Sequence, residues 1–317
     1  MLFIVIPDHA LIRFLVEPLL QIPDIKIIVQ TKPPRGARAT LLRLYDFALG
    51  IRLSYSLYLG GSLTQQLKAI TRNDTVLFFA IENLKELLLM RSFVQTTKLK
   101  LWLWNPVSSF RTTRSSQQKY VDRLRKEGID AATFDPMDAQ QLGLGLQNQV
   151  FRQVAPTPQD GLQFDVTFAG VDKGRLGRLD HWHHVLTQMG LRVHMHVVAD
   201  RRKRYGNKGT LQVTHRWLAY EEYLALMQSS ACILELLQNG QHGLTLRGLE
   251  AAFLNKKLIT DNPSYLDTPL YSPDRIFILG RDDVSMLPAF LRSSHLPLSP
   301  EALRPFDIAE WIKHWQA

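Results

Sequence analysis

The chain has 317 residues, 45% of them hydrophobic and 21% charged, a formal net charge of +9 and a single cysteine. This length suits two domains, and the composition is that of a folded globular protein. One cysteine excludes a disulfide framework and a thiolate metal cage and fits a reducing compartment, while the basic excess leaves nucleic acid, an anionic membrane surface and phosphorylated small molecules as partner classes.

The apolar run Met1 to Pro7 is short and carries no basic leader, so it reads as a first strand, Leu2–Ile6, rather than a signal peptide. Further strands are predicted at Lys26–Gln30, Thr75–Phe79, Leu99–Trp104 and Ala131–Phe134. Helical periodicity lies between them at Leu11–Leu20, Ser62–Ile70, Leu84–Ser92 and Gln117–Glu127. Strands alternating with helices imply a parallel, doubly wound sheet. Lys32 to Tyr58 interleaves Arg35, Arg38, Arg43 and Arg52 with apolar residues. It reads as an amphipathic helix packed on its own domain, with an anionic membrane surface as the alternative.

Pro156 to Gly161 holds two prolines and a glycine and marks a linker, so residues 1–155 and 162–317 are expected as separate domains. The second half restarts with a buried strand, Phe164–Gly170. A helix at about Leu179–Met189, a strand at Val193–Val198 and a helix at about Tyr220–Gln228 follow. Next come a strand at Ala231–Leu234, a helix from about Thr245 and a strand at Leu258–Thr260. Ile276–Leu279 is a late strand and Asp307–Trp315 a last helix, expected either on its own half or packed back on the first domain. The fold class is therefore α/β, two domains facing a cleft at the carboxyl ends of both sheets, where ligands of such folds sit.

Two glycine-bearing basic loops follow strands of the second half. Gly170, Lys173, Gly174 and Arg175 form the first; Gln241, His242, Gly243, Thr245 and Arg247 form the second. Glycine lets backbone approach a ligand, arginine grips phosphate, and a helix starting near Thr245 offers free N–H groups to an anion. Arg247 and Glu250 share one helix face, so one side chain can meet a phosphate while the other accepts ribose hydroxyls, or the two can pair with each other. Cys232 reads as a small core residue. His194 and His196 share a strand face and His181, His183 and His184 cluster, but no acidic or thiol partner stands at zinc spacing. Gly143-Leu144-Gly145 lacks the third glycine and preceding strand of a dinucleotide fingerprint. The run Arg201–Arg204 reads as a solvated loop, and no nucleic-acid motif appears, so no nucleic-acid partner is expected.

Four stretches together resemble bacterial glycosyltransferases of lipopolysaccharide, lipooligosaccharide or capsule synthesis. They are Gln241 to Glu250 with Lys256 to Asn262, Asp165 to Arg175, Phe134 to Ala139, and Asp307 to Ile312. The resemblance implies a GT-B fold, two Rossmann-like domains, with a nucleotide sugar held mainly by the C-terminal one and the acceptor on the N-terminal side. By position, Lys173, Arg175, Thr245 and Arg247 would face the diphosphate and Glu250 the ribose. The sequence departs from the group's retaining pattern at His242, where an acid would touch the donor sugar. Glu235 and Gln241 are the nearby substitutes, and the stereochemical course stays open.

On this reading the protein is a hexosyltransferase-like enzyme moving sugar to a cell-surface glycan or lipid-linked acceptor. Lys, Arg and a helix dipole would supply the charge that stabilises the leaving diphosphate, so no metal or cofactor is required. An inverting course needs a base, for which His9, Asp8 and Glu82 are candidates beside the first-domain strands. The expected location is cytoplasmic, with peripheral attachment at the inner face of the cytoplasmic membrane as an open alternative. Two rivals remain: a non-hydrolysing sugar-nucleotide epimerase, and a non-catalytic basic glycan- or polyanion-binding protein.

Overall fold

A computed structural model of the chain describes residues 1–30, 61–155, 161–200, 203, 205, 211–238 and 240–316. The basic stretch Lys32 to Tyr58, most of the linker and most of Arg201–Arg204 lie outside the described residues. Two units divide the chain: Met1–Asn148 joined by the segment from Trp311, and Gln149–Glu310. Residues 149–155 thus belong with the second unit. The reason is hydrogen bonding: Phe151 N–H donates to the Phe306 carbonyl at 2.8 Å, and Ile308 N–H donates to the Phe151 carbonyl at 2.8 Å.

The first unit is a parallel sheet of β1 Leu2–Pro7, β2 Ile25–Gln30, β3 Thr75–Phe79, β4 Leu99–Leu103, β5 Ile129–Thr133 and β6 Gly145–Leu146, in the order β2-β1-β3-β4-β5-β6. Its central strands are unbroken apolar runs because helices cover both faces; every residue of β3 is buried. The helices are α1 Ala10–Val16, α2 Gly61–Lys68, α3 Leu84–Arg91, α4 Arg114–Lys126 and α5 Pro136–Leu142. Asn83 caps α3 by accepting from Lys85 N–H at 3.1 Å and Glu86 N–H at 3.4 Å. The predicted helix Leu11–Leu20 is split: α1 ends and a 3₁₀ turn, Glu17–Gln21, takes over at Pro18, which has no N–H to continue the ladder. The short α5 was not predicted; Asp135 caps it, Pro136 opens it and Gly143, at φ 64°, closes it. At the C-terminus, Trp311 packs edge-on against Phe79 and Trp102, at 5.9 and 5.3 Å between ring centroids.

The second unit is also parallel: β7 Phe164–Val171, β8 Val193–Val198, β9 Val213–Thr214, β10 Ser230–Glu235, β11 Lys257–Thr260 and β12 Ile276–Ile278, ordered β12-β11-β10-β7-β8-β9. Its helices are α6 Leu176–Gln188, α7 Tyr220–Gln228, α8 Leu246–Phe253, α9 Leu287–Arg292, α10 Pro300–Leu303 and α11 Ile308–Trp311, which runs into the first unit's terminal segment. The predicted helix Asp307–Trp315 is therefore α11 plus a 3₁₀ turn, Ile312–Trp315. Each sheet reverses its winding once, between β1 and β3 and between β7 and β10. Loops leave such a point in opposite directions and open a crevice at the carboxyl ends of the strands. Among the described residues no helix is long and apolar enough to cross a membrane.

Candidate functional site

At the reversal point of the second sheet, β7 gives way to Asp172-Lys173-Gly174-Arg175. Lys173 and Gly174 both take left-handed backbone, at φ 45° and 80°. Asp172 is fully buried and accepts from Leu176 N–H at 2.6 Å, the Lys203 ammonium at 2.7 Å and the Tyr205 hydroxyl at 2.8 Å. Burial pushes its carboxyl up, but those hydrogen bonds outweigh it and hold the group below the usual range. Lys173 stands exposed at the tip of the turn.

Two arginines occupy the crevice. Arg175 is 3% exposed. Its Nη1 donates to the Leu236 carbonyl at 2.7 Å, Nη2 to Val171 at 2.7 Å and Nε to Asp172 at 3.1 Å. Arg247, half-buried on the first turn of α8, donates from Nη2 to the Ala169 carbonyl at 2.7 Å, while its buried Nε has no partner. Both guanidinium carbons lie over the Phe168 ring, at 5.3 and 4.5 Å from its centroid. Among the described residues neither arginine forms an ion pair within 4.0 Å. Burial first, then the positive charges of Arg247 and Arg178, pull the Arg175 pKa down to about 9. Gly170, at φ 155°, makes room: a Cβ there would lie 2.2 Å from Arg247 Nη2.

The α8 start is tied to β10 and β11. Thr245 caps the helix, accepting from Arg247 N–H at 3.2 Å and donating to Glu235. Glu235, fully buried, also accepts from Thr260 Oγ1 at 2.5 Å and Tyr265 OH at 3.1 Å. Burial raises its carboxyl despite those donors. Glu250 is fully buried too; Tyr223 OH donates to its Oε2, and Oε1 has no hydrogen-bond partner. Burial pushes Glu250 up to about 7, with Tyr223 and Arg247 opposing and Glu235 adding. Asn262 Nδ2 donates to the Gly243 carbonyl at 3.3 Å and so fixes the second loop. Gln241 is half-buried in that loop and His242 exposed. Gly248 abuts Tyr265; a Cβ would lie 1.6 Å from its hydroxyl oxygen.

Three expectations change on this geometry. Arg175 and Arg247 do converge with the α8 start, but Arg175 is turned inward and donates to three carbonyls rather than facing solvent. Glu250 is fully buried with Tyr223 OH on its Oε2, so it is not the exposed acceptor that the sequence suggests. Glu235 is held by three hydroxyls and is not an exposed substitute acid. The adjacent Lys256 and Lys257 are buried fasteners, donating to the Gln228 carbonyl at 2.6 Å and to Ser293 Oγ at 2.7 Å respectively.

The first sheet's reversal point holds a cavity of about 390 Å³ whose lining includes His9, Gln30, Ala80, Glu86, Trp104 and Asn105. His9 precedes α1 on extended backbone. Asp8 pairs with Arg13 at 2.9 Å. Glu82 does not line the cavity: its oxygens accept from Asn105 N–H at 2.6 Å and Asn105 Nδ2 at 2.9 Å, which makes it a support for Asn105. Glu86, one helical turn on, takes the place in the lining that the sequence reading gave to Glu82. Sequence reasoning missed Tyr223, Tyr205, Phe168 and Glu86. Only tertiary contact reveals them, although Phe168 stands two residues before the flagged Gly170. His194 stacks on Phe164 at 4.7 Å, and His196 Nε2 lies 2.9 Å from the Arg216 carbonyl. Among the described residues no group of three metal-ligating side chains converges.

No protein-family model matches the sequence, and no curated protein matches it. Solved structures do resemble it. An α,α-trehalose-phosphate synthase (UDP-forming) from Burkholderia vietnamiensis has a TM-score of 0.55 at 13% identity, covering 100% of this chain and 98% of its own. A structure described as trehalose-6-phosphate from E. coli bound with UDP-2-fluoro glucose has a TM-score of 0.56 at 12% identity, covering 100% and 97%. Anabaena Alr3699/HepE in complex with UDP-glucose has a TM-score of 0.53 at 11% identity, covering 99% and 98%. With two parallel six-stranded sheets, the chain has the α/β fold of the GT-B glycosyltransferases.

Proposed function

We propose that the protein is a glycosyltransferase that moves a sugar, a hexose or close relative, from a nucleotide-sugar donor to a glycan or lipid-linked acceptor of the cell surface. The observation that carries the proposal is the pair of guanidiniums over Phe168, neither in an ion pair within 4.0 Å among the described residues, at the reversal point of the second sheet. Like charges held together in a partly dry site favour an anion between them and solvent. A nucleoside diphosphate is the anion that accumulates charge as a glycosidic donor bond breaks, and fixed positive charge there lowers the barrier. Lys173, Arg247 and the free N–H groups of the α8 start would contact the diphosphate. Arg175 would add its field from beneath, and Gly170, Gln241 and Gly243 would let the backbone approach. The solved neighbours whose descriptions name UDP-glucose or UDP-2-fluoro glucose agree with such a donor.

In this reading positive side chains do the work a metal does elsewhere. His9 is the candidate base of an inverting course, and a lipid-linked acceptor would bring the protein to the inner face of the cytoplasmic membrane. A thermal-shift screen against UDP, GDP, ADP and CDP and their sugars tests the proposal. A base-selective rise in melting temperature is expected. Equal response to any polyanion, heparin included, would instead mark a non-catalytic basic binding protein.

A further inference from the structure

The two reversal points are built from opposite charges. The second sheet's holds arginines. The first sheet's cavity is bordered by two carboxylates, Asp8, which Arg13 neutralises from outside the lining, and Glu86, which among the described residues only the neutral amides of Gln30 and Asn83 hold; among the described residues no lysine or arginine lines it. Its volume of about 390 Å³ falls in the range of small-molecule sites, roughly 300–1,000 Å³. We propose that this cavity takes the acceptor as an unphosphorylated, hydroxyl-rich ring, with Glu86 as the residue that sets that specificity. The inference rests on the transferase reading and extends it to the class of the second substrate.

The side chains fit that ligand. Glu86 Oε2 accepts from Gln30 Nε2 at 2.7 Å and Oε1 from Asn83 Nδ2 at 3.2 Å. An ionised carboxylate offers about four acceptor positions, so each oxygen keeps one for a ligand hydroxyl. The two amides also fix the carboxylate's orientation before a ligand arrives, which reduces the entropy lost on binding. Asn105 is fixed in the same way, because Glu82 holds both its backbone N–H and its Nδ2. Trp104 is half-buried and braced by Phe79 and Trp102, at 6.0 and 5.5 Å between centroids. A rigid aromatic face suits the C–H face of a sugar ring. Ala80, at the end of β3, holds a left-handed backbone at φ 59°, unusual for a residue with a Cβ. A phosphate beside Glu86 would meet the like charge of its carboxylate, while Arg13, a described cation beside the lining, is already engaged by Asp8 at 2.9 Å.

Ligand-observed NMR tests the inference with methyl glycosides of glucose, galactose and mannose, and with glucose 6-phosphate, each with and without a saturating nucleoside diphosphate. At least one neutral glycoside should bind about tenfold or more tightly than glucose 6-phosphate. Glu86→Ala and Trp104→Phe should weaken that glycoside about tenfold while nucleotide affinity stays unchanged. Glu86→Gln, which keeps the shape and loses the charge, should retain the glycoside and relax the discrimination against phosphate. Melting curves identify any variant that has not folded, and the remaining ones then decide. The inference is overturned if no neutral glycoside binds, if glucose 6-phosphate binds more tightly, or if folded Glu86 variants behave as wild type. Loss of nucleotide binding in the unaltered protein would instead strike the transferase reading, so the two failures are distinct.

Discussion

Replacing Glu250 by glutamine isolates the cost of one buried carboxylate. Burial raises its pKa from 4.5 to about 7, a shift of about 2.5 units. At about 1.4 kcal/mol per unit this corresponds to about 3 kcal/mol. The folded-state pKa lies above the unfolded one, so the folded protein binds more protons between pH 4.5 and 7. The favourable contribution is therefore complete below pH 4.5 and is lost as pH rises through 7. Glutamine keeps an acceptor for Tyr223 OH and cannot ionise. Glu250→Gln should accordingly match wild type near pH 4.5, exceed it by about 1 kcal/mol at pH 5 and by up to about 3 kcal/mol at pH 8. For a unit of this size about 3 kcal/mol is roughly 6–12 °C in Tm. Differential scanning calorimetry from pH 4.5 to 8 reads the difference directly. A difference in Tm that stays flat across that range would refute the buried, proton-linked Glu250 described above.

Other perturbations act at single contacts. Gly248→Ala drives a methyl into the Tyr265 hydroxyl and should cost about 3 kcal/mol or more in urea denaturation; an unchanged midpoint would contradict the packing. Gly170→Ala should push Arg247 off Phe168 and lower nucleoside diphosphate affinity about tenfold, read by calorimetric titration on the folded variant, with a loss of stability of about 1–3 kcal/mol because φ 155° strains a residue with a Cβ. If His9 is the base, His9→Ala should lower kcat by about 10²- to 10⁴-fold and abolish the acidic limb of the pH–rate profile, with nucleotide affinity unchanged. Glu82→Gln, at a residue that supports Asn105 and does not line the cavity, should lower kcat less than about tenfold and leave that limb in place.

The fold was readable because its signals are local. Parallel strands buried on both faces are apolar runs, and Thr75–Phe79 and Tyr220–Gln228 coincide with their predicted spans. Short elements escaped: β6 and β9 have two residues each, and α5 is marked by its cap and its proline rather than by periodicity. Within the site, the glycine-bearing loops and Arg247 were legible from composition and spacing. The direction of a side chain was not. Arg175 looks like a phosphate ligand in sequence, yet three carbonyls at the ends of β7 and β10 draw it inward. Glu250 lies on the expected helix, but it is buried there with the hydroxyl of Tyr223, 27 positions earlier, on its Oε2. Glu82 stands in the loop after Phe79 and Glu86 inside the predicted helix Leu84–Ser92, and the contacts with Asn105 on one side and with Gln30 and Asn83 on the other decide which of them lines the cavity.

Calorimetric titration of nucleoside diphosphates and their parent nucleosides, into wild type and Arg247→Ala, tests the diphosphate grip most directly. Wild type should bind one diphosphate far more tightly than its nucleoside, and Arg247→Ala should weaken the diphosphate roughly 10- to 100-fold while leaving the nucleoside unchanged. Equal affinity for diphosphate and nucleoside in wild type, or a diphosphate affinity indifferent to Arg247→Ala, would contradict it.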